Sequence, residues 1–166
     1  MKFNKSALVA GMILATGLST GCTTTQTTEK EVIRQTSHLD MCLMYANQQD
    51  YQNAIRECKI ATEQQPSAGA YSNLGAAYVQ VGKNNLAMDA MQKAKSMSPN
   101  DPFVNYNLAT LYSLMDQTDR ALESLDTALA NGFNNYDSLR FDKDLNNVRG
   151  EPEFRKVLEK HNVFIQ

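Results

Sequence analysis

The chain has 166 residues, enough for one ordinary domain, with 42% apolar and 20% charged residues and a formal net charge of −2. Sixteen Lys and Arg stand against 18 Asp and Glu, and no basic cluster interrupts that balance. A mildly acidic surface repels phosphate backbones, so nucleic acid is excluded as a partner.

Lys2 and Lys5 give the N-terminus a positive start, Ala7 to Leu18 is apolar, and Ser19-Thr20-Gly21 offers small residues for cleavage. An apolar run of 12 residues is shorter than the roughly 20 that span a bilayer as a helix. Residues 1–21 therefore read as a removable signal segment. The run Leu18-Ser19-Thr20-Gly21-Cys22 resembles a bacterial lipoprotein signal, with Leu18 one place further out than the pattern has it. That resemblance implies lipid on Cys22, a membrane anchor of the multiply acylated kind, and, through Thr23, an outer-membrane lipoprotein facing the periplasm. Residues 22–34, with Thr23-Thr24-Thr25-Gln26-Thr27-Thr28, have no apolar period and read as a solvated tether.

Beyond residue 35 one pattern recurs. Leu74, Gly75, Tyr78, Ala87, Met91 and Ala94 reappear 34 residues on as Leu108, Ala109, Tyr112, Ala121, Leu125 and Ala128. They are preceded 33 residues earlier by Met41, Cys42, Tyr45, Ala54, Cys58 and Ala61. Gly82 marks a turn, and Pro66 and Pro99 end helices that they cannot continue. Small residues spaced this way let two antiparallel helices approach closely, while Leu and Tyr fill the space beside the crossing. The pattern resembles the tetratricopeptide repeat, which implies an all-α solenoid of three helix-turn-helix hairpins over 35–67, 68–101 and 102–135. Gly82-Lys83 is no phosphate loop, since that spacing needs glycine where Ala77 stands and Ser or Thr at Asn84.

Within the first hairpin, Cys42 and Cys58 lie about equally far from a turn at residues 47–50, at inward-facing positions, and should be neighbours. In an oxidising compartment the pair predicts a disulfide. Two buried thiols are one alternative; a metal site completed by His38 is another, for which no fourth ligand is placed.

Residues 136–166 follow Gly132-Phe133 with Phe141-Asp142-Lys143-Asp144-Leu145, Arg149 and Pro152-Glu153-Phe154. They resemble the closing segment of some tetratricopeptide arrays, which implies capping helices that cover the last apolar face. Phe154, Val157 and Leu158 share one side of a helix predicted over 151–160.

No nucleophile and base are paired, and Asp116, Asp119, Glu123 and Asp126 read as a solvated face, so no enzyme, cofactor or metal is expected. The resemblance instead implies a concave groove lined by the first helix of each hairpin, binding a peptide or helix of another envelope protein. The frame puts Leu39, Asp40 and Leu43 there from the first hairpin and Ser72, Asn73, Ala76 and Gln80 from the second. The third gives Phe103, Tyr106, Asn107 and Thr110. Asn73 and Asn107 occupy one repeat position, where they either hold a peptide backbone or bond locally. A basic carboxylate clamp is absent from the matching positions, leaving Phe103 and Tyr106 as aromatic anchors. The implied role is an envelope scaffold of the sort that assists pilus, secretion or cell-wall assembly; a self-associating structural module that binds a second copy is the alternative.

Overall fold

A computed structural model describes residues 37–165; the signal segment, Cys22 and the tether lie outside the described residues. Among the described residues there are nine α-helices and no strand. Three hairpins pair α1 (His38–Asn47) with α2 (Tyr51–Gln64), α3 (Ala68–Gln80) with α4 (Asn84–Met97), and α5 (Pro102–Leu114) with α6 (Thr118–Ala130). A C-terminal segment, here termed the cap, packs on α5 and α6; it consists of α7 (Tyr136–Phe141), a 3-10 turn (Lys143–Leu145), α8 (Asn146–Arg149) and α9 (Pro152–Lys160). No described helix is long and apolar enough to cross a membrane.

Each first helix starts on a side-chain cap. Ser37 accepts from the Asp40 amide, while Asp40 accepts from the Ser37 amide in return. Ser67 accepts from the Ala70 amide, and Asp101 accepts from Phe103 and Val104 with Pro102 behind it at the first helical position. The hairpin turns repeat one backbone device: Gln49, Gly82 and Asp116, at corresponding positions, have φ of 60°, 71° and 55°. Only the middle one is glycine, so the outer two hold a conformation that disfavours a side chain.

One pair of repeat positions recurs as a tight or buried contact within the hairpins. In the second hairpin Gly75 faces Met91, and a Cβ on Gly75 would come within 2.6 Å of Met91 Cγ and 3.2 Å of the Ala87 carbonyl oxygen. Ala109 and Leu125 are the corresponding pair in the third hairpin, both fully buried. In the first hairpin the pair is Cys42 and Cys58, joined as a disulfide with their Cα atoms 5.1 Å apart and both fully buried. Small opposite large, or a covalent bond, solves one packing problem in each hairpin.

Stacking is sequential: α2 packs on α3 and α4 on α5. One core cluster spans the first two hairpins and takes Val104, Leu108 and Leu111 from α5. A second joins Tyr106 and Ala109 of α5 to α6 and the cap residues Leu139, Leu145, Phe154 and Leu158. Helix α5 is thus buried on two sides, and its Asn105 is fully buried. The Asn105 amide donates to the carbonyls of Pro99 (2.9 Å) and Asp101 (2.8 Å), pinning the linker from α4.

The cap is held by named bonds. Arg149 donates from Nε to the Leu139 carbonyl at 3.0 Å and from Nη2 to the Asp142 carbonyl, closing the bend between α7 and α8. Asn147 donates to the Ser113 carbonyl (2.9 Å) and to Asp116 Oδ1 (2.8 Å), fastening the cap to the end of α5.

Candidate functional site

Helix α1 contacts α3, and α3 contacts α5, whereas α2, α4 and α6 make no comparable contact with one another. Helices that approach more closely on one side than on the other bend the stack, so α1, α3 and α5 form the inner, concave side.

On that side the sequence-expected residues divide into two groups. Leu43 and Phe103 are exposed at 41% and 57%. Leu39, Asn73 and Ala76 are half-buried, and Asp40 and Gln80 are exposed. Of these seven, Asp40 caps α1 and Gln80 reaches Asp144, which leaves five open to a ligand.

The others are consumed by the fold, which corrects the expectation that they face an open groove. Tyr106 is buried, its ring stacked on Phe133 at 4.2 Å and its hydroxyl donating to Asp142 Oδ2 at 2.7 Å. Burial first, then the hydrogen bond to Asp142, pushes the phenol well above its ordinary pKa, so it stays a donor. It anchors the cap and leaves Phe103 as the exposed aromatic of the pair. Thr110 is buried, with its hydroxyl donating to the Asn107 carbonyl. Asn107 donates from Nδ2 to the buried Ser72 hydroxyl at 2.9 Å, so it ties α5 to α3 and does not ladder with Asn73.

Two ion clusters lie outside the groove, one on a buried carboxylate and one on a half-buried carboxylate. Glu57, 6% exposed, accepts from Arg56 Nη2 at 2.9 Å and lies 2.7 Å from His38 Nδ1. His38 and then Arg56 hold its carboxyl below the usual range, against the opposing effect of burial. His38 thus has a carboxylate for a neighbour, and Cys42 and Cys58 are bonded to each other, so the three do not form a metal set. No group of three or more His, Cys, Asp or Glu suited to a metal exists among the described residues.

At the other end Asp126 takes Lys160 Nζ at 2.8 Å and lies 2.7 Å from His161 Nε2. Lys160 and then His161 hold its carboxyl low. Asp126 therefore clamps α9 to α6, a role that a reading of it as solvated surface misses. A cleft of about 890 Å³ lies beyond that clamp, bounded by Arg140, Phe141, Arg155 and Phe164, with the two phenylalanines 73% and 77% exposed.

Residues 68–101 match the tetratricopeptide-repeat family. The crystal structure of MamA superposes with a TM-score of 0.57 over 75% of this chain and 77% of that one, at 24% identity. The chain has the fold of a tetratricopeptide-repeat solenoid. Among sequences, a chloroplastic protein of Arabidopsis thaliana is 26% identical over 145 residues, covering 82% of this chain. Superkiller protein 3 of Schizosaccharomyces pombe is 30% identical over 94 residues, covering 56%. The chain spans 41% of the length of the first relative and 7% of the second. The matched repeat supports a protein-interaction scaffold, the use to which such stacked hairpins are suited.

Proposed function

We propose that the chain is a protein-binding scaffold whose concave side, formed by α1, α3 and α5, docks a segment of another protein, and that Cys22 carries the lipid that holds it at a bacterial envelope membrane. The observation that carries the docking role is the concave side formed by α1, α3 and α5, where Leu43 and Phe103 leave large apolar side chains exposed. Nothing in the chemistry of that surface suits bond making: its side chains are aliphatic, aromatic or amide, apart from the capping Asp40.

The envelope setting rests on the leader and Cys22, and the Cys42–Cys58 bond supports it, because such bonds persist in oxidising compartments. Outer-membrane attachment, with pilus, secretion or cell-wall assembly as the process served, follows the lipoprotein resemblance.

Cross-linking in intact cells tests the docking role. A distinct protein captured by the native chain, and lost from a Leu43→Ala/Phe103→Ala variant that keeps its helical signal, is the expected result; unchanged capture would refute it. The mass of the mature chain tests the anchor: a Cys22 start with added acyl mass is expected, and an intact leader or an unmodified Cys22 would overturn it.

A second reading, self-association, is favoured by the exposed Phe141 and Phe164 beside the cap cleft. Sedimentation of the full chain decides it: dimers that vanish with Phe141→Ser/Phe164→Ser support it.

A further inference from the structure

Charge is distributed unevenly between the two faces of the array. Helices α3 and α5 contain no Asp, Glu, Lys or Arg at all, and α1 contains only Asp40. Their partners α2 and α6 carry four charged residues each, and α4 carries three. Burial explains part of this, because α5 is packed on two sides. It does not explain the positions that reach solvent. Gly69, Gln80 and Phe103 are exposed and could have carried charge without burying it, and none does.

The carboxylates nearest the groove stand at its ends and are already used. Asp40 is bound into the α1 capping box. Asp142 accepts from Tyr106 and from the Asp144 amide. Asp144, on the 3-10 turn of the cap, is the one approached by the Gln80 amide. Between them lies a surface offering methyl, aromatic and amide groups.

We infer that the groove selects an uncharged segment of its partner, with apolar side chains seated against Leu43 and Phe103 and backbone groups met by Asn73. This rests on the docking role proposed above and specifies its ligand. The physical reason is desolvation. A charged side chain entering this groove would give up water and find no opposite charge, whereas an uncharged residue gives up little. Exclusion of charged sequences is then the source of specificity, and the charged outer helices keep the scaffold soluble.

Selection of a random dodecapeptide phage library on the full chain tests this. Clones are kept as groove-dependent when Phe103→Ala or Leu43→Ala weakens them about tenfold or more, the loss expected for a buried anchor. The expected clones lack Asp, Glu, Lys and Arg over their contacting core and bind equally at low and high salt. They should also lose about tenfold or more when one core residue becomes Asp or Lys. An Ala76→Lys variant should shift the selection to acidic peptides. Groove-dependent clones with charged cores, or binding that falls tenfold with salt, overturn the uncharged-ligand inference and leave the docking role standing. Binders of which none depends on Leu43 or Phe103 overturn the docking role itself, and the inference with it.

Discussion

Replacing Gly75 with alanine opposes two effects whose sizes can be compared. Alanine in place of a helical glycine gains about 1 kcal/mol from backbone propensity. Against that, the new methyl would sit 2.6 Å from Met91 Cγ and 3.2 Å from the Ala87 carbonyl oxygen. Met91 is 1% exposed, so its side chain has no solvent side to swing into, and the Ala87 oxygen is backbone. Overpacking of this kind costs about 1–3 kcal/mol, which leaves a net loss of about 1 kcal/mol. For a domain of this size that lowers the melting temperature by about 4 °C. Gly69 is the control, since a Cβ there meets nothing within 4 Å, and Gly69→Ala should raise stability by a few tenths of a kcal/mol, about the propensity gain near a helix start. Urea melts followed by circular dichroism read both. If Gly75→Ala proves as stable as Gly69→Ala, the close crossing of α3 and α4 is wrong, and with it the stacking that shapes the groove.

Removing the disulfide with Cys42→Ala/Cys58→Ala should cost about 3 kcal/mol for a bridge across 16 residues, and a reducing agent should lower the melting temperature of the native chain but not of the variant. Glu57 and Asp126 both have carboxyls held below their unfolded values. Their contribution is therefore complete above the unfolded pKa of about 4 and disappears as pH falls through the lowered native values. The native chain should lose stability below about pH 4 more steeply than Glu57→Gln/Asp126→Asn, and parallel curves would contradict the two clamps. Tyr106→Phe deletes the bond to Asp142 and should cost about 1.5–3 kcal/mol, with faster hydrogen exchange confined to the cap and α5. Gln49→Gly and Asp116→Gly relieve a left-handed side-chain position and should each raise the melting temperature slightly, although the Asp116 change also removes the acceptor of Asn147.

The repeat frame was readable because the helix crossing admits few side chains: Gly75, Ala109 and Cys42 fall at the same position for the same steric reason. Which face bends inward was implied by the resemblance to the repeat family and not by the residues themselves. The use of individual groove residues was not, because the frame treats equivalent positions alike and their neighbours differ. Tyr106 shares its repeat position with Leu39 and Ser72, yet it alone meets the Phe133 ring that the cap brings over it. Asn107 finds Ser72 only because the stacking sets α5 beside α3. The His38–Glu57 pair did leave a signal. Its positions recur as Tyr71 and Ala90, Asn105 and Ser124, and Leu139 and Leu158, a large residue facing a smaller one or two apolar residues, so a histidine opposite a carboxylate there marks a polar link between α1 and α2. The Asp126 clamp left less, since it joins the third hairpin to a cap helix outside the repeat.

The concave docking surface is tested most directly by placing one photoreactive residue at Ala76, on the inner side of α3, and in a second strain at Lys93, on the outer side of α4, and irradiating living cells. A partner adduct from position 76 and none from position 93 is predicted. Adducts from position 93 alone, or equally from both, would contradict a partner seated in the groove.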